Sequence, residues 1–280
     1  MTDNTAQRNS PSFRLPSLDT DYIMSDSSRG VRLMLEYAKA EELLRAWGIR
    51  STVVVFGSAR VRPGTGADAN AARTPPPPDA KPRPGGQSAR WYDEARRFAR
   101  IVSDRGGALH PVNGIRDNVI TTGGGPGIME AANRGATDAG APSIGLNIQL
   151  PHEQEPNAYS TPELTFQFHY FAMRKMHFAM RAAALVVFPG GFGTFDEFFE
   201  LLTLTQTGKM KRIPIVCFDR NYWSRVVNFD VLVEEGMIAE KDLADFTYAD
   251  DAEEAWARLV EAGLTLPPHR GVEPRQDVAP

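Results

Sequence analysis

Residues 185–200, LVVFPGGFGTFDEFFE, bring together groups that could do chemistry. The apolar run Leu185-Val186-Val187-Phe188 reads as a buried strand, Pro189-Gly190-Gly191 and Gly193 as a glycine turn, and Thr194 as the opening of an amphipathic helix carrying Asp196, Glu197 and Glu200. A strand that feeds a helix through glycines gathers unpaired backbone N–H groups and the positive end of a helix dipole at the carboxyl edge of a sheet, where phosphate binds well. The carboxylates sit in the first turns of the same helix. Phosphate affinity beside fixed acids suggests a nucleotide site with acid, base or electrostatic chemistry next to it.

The elements that must position this stretch repeat its order. Asn118 to Thr122 reads as a strand, Gly123-Gly124-Gly125-Pro126-Gly127 as a turn and Ile128 to Ala132 as a helix start; Thr52 to Phe56 is a further strand, broken by Gly57-Ser58-Ala59-Arg60. A single glycine cluster describes a turn needing positive φ as well as it describes a phosphate loop, so two or more in one sheet are the informative observation. Strands at 143–148 and 212–218 alternate with helices at 29–47, 91–105, 171–181, 222–227, 231–236 and 252–262, and the stretch 151–162 is a polar loop ending near Leu164-Thr165-Phe166. Alternation of this kind implies an α/β fold: a doubly wound, mainly parallel sheet with helices on both faces. Ligands in such sheets bind outside the carboxyl ends of the strands, which brings Gly57-Ser58, Gly123 to Gly127 and Gly190 to Thr194 to one edge.

Composition narrows the function classes. The chain has 280 residues, 42% of them apolar, enough for one large α/β domain over 28–265 flanked by a polar tail at 1–27, disordered, extended or draped over a neighbour, and a proline-bearing tail at 266–280. A formal net charge of -4 gives no support for a nucleic-acid partner. No apolar run approaches membrane-spanning length and the polar start lacks a signal-peptide core, so a cytoplasmic location is the expectation. Residues 61–87 form a low-complexity segment with Pro75-Pro76-Pro77-Pro78, either a lid or a tolerated surface insertion.

Several single residues have two readings. Cys217, the only cysteine, lies in the apolar run Ile215 to Phe218 as a core thiol or a nucleophile. In the helix Phe171 to Arg181, Arg174, His177 and Arg181 share one face, while Met173, Met176 and Met180 share another that suits core or subunit interface. His177 is a structural histidine by default, since the five histidines show no metal-ligand spacing and no metal is expected. Arg174 is either a surface ion-pair partner or a group reaching the same carboxyl edge.

PGGFGTFDE at 189–197, MRK at 173–175 and TGGGPGIMEAANRGA at 122–136 resemble the LOG-type phosphoribohydrolases, once widely labelled lysine decarboxylases. The resemblance covers roughly residues 29–262, with the longer branch of the family as the better match. It implies a Rossmann-like fold, a homo-oligomer of two or more copies, no cofactor, and hydrolysis of the N-glycosidic bond of AMP or N6-modified (cytokinin) adenosine monophosphates to free base and ribose 5-phosphate. The family's catalytic pair falls on Arg174 and Glu197. Gly190, Gly191, Gly193 and Thr194 take the phosphate by the same carry-over, with Gly57, Ser58, Gly124, Gly125 and Lys175 supporting the nucleotide and Glu130 a ribose or base contact. Asp196 and Glu200 face solvent or cap their helix. A non-catalytic nucleotide or molybdenum-cofactor carrier using the same loops is the alternative. The decarboxylase label ranks last, because nothing around Lys175 suggests a Schiff-base pocket.

Overall fold

The computed structural model describes residues 3–64, 85–150 and 155–267. Most of the 61–87 segment and the tail beyond 267, together with the expectations placed on them, lie outside the described residues. In chain order the helices are α1 (Thr5–Arg8), α2 (Thr20–Met24), α3 (Arg29–Ala46), α4 (Gly85–Arg105), α5 (Ile128–Asp138), α6 (Phe171–Arg181), α7 (Phe192–Gln206), α8 (Arg220–Val226), α9 (Phe229–Glu234) and α10 (Ala252–Glu261). The strands are β1 (Thr52–Phe56), β2 (Val119–Thr122), β3 (Ile144–Ile148), β4 (Thr165–Phe168), β5 (Ala182–Val187), β6 (Ile215–Phe218) and β7 (Thr247–Ala249). They form one sheet in the order β4-β3-β2-β1-β5-β6-β7, with every pairing parallel.

A parallel sheet covered on both faces needs strands that are apolar on both sides, and TVVVF is buried at all five positions of β1. Alternate residues feed two cores. Val53 and Val55 pack with Phe98, Tyr92 and Ala132 beneath α4 and α5, while Val54 and Phe56 pack with Phe178, Phe198 and Trp223 beneath α6, α7 and α8. After β1 the chain runs outward through β2, β3 and β4, then returns to lay β5 on the other side of β1. The strand order therefore reverses between β1 and β5, and the loops leaving these strands diverge to open a crevice.

Five parts of the chain differ from the sequence reading. Thr165–Phe168, taken as the end of a loop, is the edge strand β4, and Thr247–Ala249 adds β7 on the opposite edge. α4 begins at Gly85 and so takes in the end of the segment read as an insertion. α7 begins at Phe192, two residues before Thr194, which leaves Gly191 as its N-cap. The stretch before Arg29, expected to be disordered, extended or draped, coils through short helical turns stitched to the body by Arg32, whose guanidinium donates to the Ile23 and Ser25 carbonyls and to the Tyr170 hydroxyl.

Candidate active site

The crevice at the β1/β5 reversal holds a cavity of about 570 Å³. Its walls come from the loop after β1 (Gly57, Ser58, Ala59, Arg60), from Gly190 to Thr194, and from Arg174 and Phe171 of α6, with Met129, Ile148, Leu150 and Tyr222 completing them. The first backbone bonds of α7 run from Thr194 and Phe195 N–H to the Gly191 carbonyl. The N–H groups of Phe192 and Gly193 thus precede the helix's own hydrogen bonds and stand at its positive end, on the cavity wall. Gly191, Phe192 and Gly193 are exposed, and Phe192 is 95% exposed.

Arg174 and Glu197 meet across the gap between α6 and α7, Nη2 to Oε1 at 3.4 Å, with side chains 11% and 2% exposed. Arg174 forms part of the cavity wall, while Glu197 lies one layer behind it. Burial disfavours the ionised form of both groups and exceeds the pull of each on the other. The Glu197 carboxyl is pushed up to about 7 by burial, against the opposing pull of Arg174. Arg174 is lowered by burial from a value so high that it stays cationic at neutral pH. Its guanidinium rests over the Phe171 and Phe178 rings, 5.1 and 5.7 Å from their centroids, and its Nε has no hydrogen-bond partner among the described residues. A cation facing the cavity and a carboxyl balanced near neutrality behind it can hold an anionic or sugar group and take or return a proton.

The other candidate residues divide. Gly57, Ser58, Gly190, Gly191, Gly193 and Thr194 converge on the cavity with Arg174. Gly124 and Gly125 do not: both are buried, the Gly124 N–H donates to Thr122 Oγ1 at 2.9 Å, and their carbonyls accept from Asn157. From that loop it is Gly123 that reaches the wall. Glu130 is 3% exposed and accepts from the Tyr92 hydroxyl at 2.8 Å beneath α4, away from the cavity wall. Lys175 is not among the cavity-wall residues and bridges Asp196 at 2.9 Å and Glu200 at 3.3 Å, so Asp196 faces solvent as expected, paired to Lys175, and Glu200 is half-buried.

The remaining two-way residues resolve structurally. His177 is buried between the Tyr37 and Phe168 rings, and burial lowers its pKa. Cys217 is fully buried and burial pushes its thiol up, which suits a core thiol and not a nucleophile. Among the described residues there is no group of three His, Cys, Asp or Glu side chains that could hold a metal ion, and no helix long and apolar enough to cross a membrane.

Sequence reasoning missed Tyr222 on the wall, whereas Arg60 belongs to the loop after β1 that it had brought to this edge. Tyr222 follows the carboxyl end of β6, where the edge rule points, but it stands in no glycine motif.

A family model described as possible lysine decarboxylase matches residues 129–259, a span that holds both Arg174 and Glu197. A protein of Oryza sativa subsp. japonica, named as a probable cytokinin riboside 5'-monophosphate phosphoribohydrolase, is 29% identical over 148 residues, 52% of this chain and 63% of the rice protein. The chain thus spans less than two thirds of that relative. A cytokinin riboside 5'-monophosphate phosphoribohydrolase of Arabidopsis thaliana is 26% identical over 155 residues, 55% of this chain and 68% of its own. Among solved structures, a molybdenum cofactor carrier protein from Chlamydomonas reinhardtii aligns at 18% identity with a TM-score of 0.45, covering 76% of this chain and 98% of that one.

Proposed function

We propose that this chain, a member of the LOG family, is a nucleoside 5'-monophosphate phosphoribohydrolase that cleaves the N-glycosidic bond of AMP or an N6-modified adenosine monophosphate. The observation that carries the reading is the meeting of Arg174 and Glu197 beside the open N-terminus of α7 on one cavity. The exposed 191–193 backbone receives the 5'-phosphate, whose charge suits a helix N-terminus. Cleavage builds positive charge on the ribose, and a carboxylate within a layer of it in a low-dielectric site stabilises that charge without direct contact. Balanced near pH 7, Glu197 also suits the transfer of a proton from the attacking water through one intervening water, while Arg174 holds the sugar in line. Glu197 gives that proton up to the leaving base, and the products are free base and ribose 5-phosphate.

The cavity wall formed by Met129, Ile148, Leu150 and Phe171 supports an adenine ring with or without an apolar N6 substituent. Self-association is part of the same proposal, supported by the exposed Val31, Met34 and Leu35 of α3 and Phe171 and Met180 of α6.

Chromatographic product analysis with AMP and isopentenyladenosine monophosphate tests the reaction. Base and ribose 5-phosphate released by the wild type, and at about 10²-fold lower rate or less by Glu197→Gln, is the expected result. Saturable AMP binding with no base released would instead make the chain a nucleotide carrier.

A further inference from the structure

Tyr222 stands on the cavity wall with no part in the scheme above. Its hydroxyl donates to the Gly190 carbonyl oxygen at 2.5 Å. That carbonyl and the Gly191 N–H are the two ends of one peptide unit, and in a trans peptide they point in opposite directions. No described peptide bond is cis. Holding the carbonyl against Tyr222 therefore sets the direction of the N–H at the glycine that caps α7. Without that bond the unit lies between two glycines, the residues least able to hold an orientation themselves.

Tyr222 is itself held from two sides. Its backbone N–H donates to Asp219 Oδ1 at 2.9 Å, and its ring meets the Trp91 indole edge-on, centroids 5.9 Å apart. The Trp91 Nε1–H donates to Asp219 Oδ2 at 2.8 Å, which closes a triangle of Trp91, Asp219 and Tyr222. Asp219 is buried and has φ of 70°, a left-handed conformation that its hydrogen bonds over-determine. The left-handed turn at the carboxyl end of β6 leaves Asp219 bonded to the Ala249 carbonyl of β7 and makes it the N-cap of α8, whose first turn brings Tyr222 to the glycine loop.

We propose that Tyr222 is a positioning residue for substrate phosphate: its hydroxyl orients the Gly190–Gly191 peptide, and Trp91 with Asp219 locks the ring that does so. The proposal rests on the reading of residues 190–194 as the phosphate site.

Calorimetric binding of AMP and of adenosine, with steady-state kinetics on AMP, separates the two claims. Tyr222→Phe keeps the ring and loses the donor, a hydrogen bond of ordinary strength, so AMP affinity falls about tenfold. KM rises by the same factor, kcat stays within about twofold, and adenosine affinity does not change. Trp91→Phe moves AMP affinity in the same direction by about threefold, since it frees Asp219 and so reaches the Tyr222 hydroxyl only indirectly. Wild-type AMP affinity in Tyr222→Phe, or equal losses for AMP and adenosine, overturns the positioning role. A wild-type protein that binds adenosine as tightly as AMP overturns the phosphate reading and the proposal with it.

Discussion

The turns after β2 and after β5 look alike as sequence and behave as opposites in the fold. TGGGPG and PGGFG each lead from a strand into a helix through glycines. The first is closed on itself: Thr122 and Asn157 satisfy its backbone, and Asn133 bridges both side chains, accepting from Thr122 at 2.7 Å and from Asn157 at 2.9 Å. In the second, the bonds fall on acceptors, the Tyr222 hydroxyl on the Gly190 carbonyl and the Ser58 N–H on the Pro189 carbonyl, and the exposed residues 191–193 stand on the cavity wall. The glycines follow the same division, Gly190 apart, where a Cβ would strike the Thr194 side chain. Gly124 and Gly127 have φ of 69° and 74°, and a Cβ on either would overlap Asn147 or the Ser58 carbonyl, so the fold itself demands glycine there. At Gly191 and Gly193 a Cβ would meet nothing within 4 Å and φ is not positive, so the fold does not demand it. Glycine where nothing in the protein requires it leaves room for something outside the protein. The lesson is that a glycine-rich turn offers donors to a ligand only where no polar side chain has already taken them.

That contrast can be broken by moving the same small substitution between the loops. Gly127→Ala forces a methyl group into Ser58 and Ala59 at a backbone conformation only glycine adopts readily, so it should lower unfolding free energy by about 3 kcal/mol in denaturant melts. Gly193→Ala should leave the melt unchanged and weaken AMP binding about tenfold, roughly 1.4 kcal/mol, by crowding the phosphate. Equal melts for the two variants would erase the distinction between fold glycines and ligand glycines. The smallest effect sharpens it: Lys175→Ala removes only the partly exposed pairs with Asp196 and Glu200, so stability should change by less than about 1 kcal/mol and AMP affinity should not move. A large loss of AMP affinity in that variant would return Lys175 to the phosphate site.

Much of the architecture was legible because its strands are dense in branched apolar residues. TVVVF, VITT and ALVV could hardly be anything but buried strands, and the helices between them showed their stripes. The edge strands were not legible: TFQF and TYA are short, follow polar stretches and carry no turn signal that separates them from loop. Within the site, the strand-end rule brought Gly57, Ser58 and Gly190 to Thr194 to one edge from the sequence alone. The Arg174 and Glu197 pair came from resemblance, since nothing in their spacing says that two successive helices turn these side chains toward each other. Lys175 carried its own warning, because neighbours on a helix point about 100° apart and cannot both face one crevice. Gly124, Gly125 and Glu130 failed for a different reason. Their partners, Asn157 and Tyr92, lie in other segments of the chain, and satisfaction of a buried polar group is a tertiary fact.

The most direct test is the pH dependence of adenine release from AMP, in single turnover between pH 5 and 9, for wild type and Glu197→Gln. The account predicts a wild-type rate that rises as the carboxyl ionises, half-developed near pH 7, and a variant rate at least about 10²-fold lower with no such limb. The stability of the two proteins gives the same ionisation an independent sign: a carboxyl raised above its ordinary value stabilises the wild type fully below about 4.5, and that contribution is lost as pH rises through about 7, a decline the variant lacks. Equal rates for both proteins across the range would remove Glu197 from the chemistry and contradict the account.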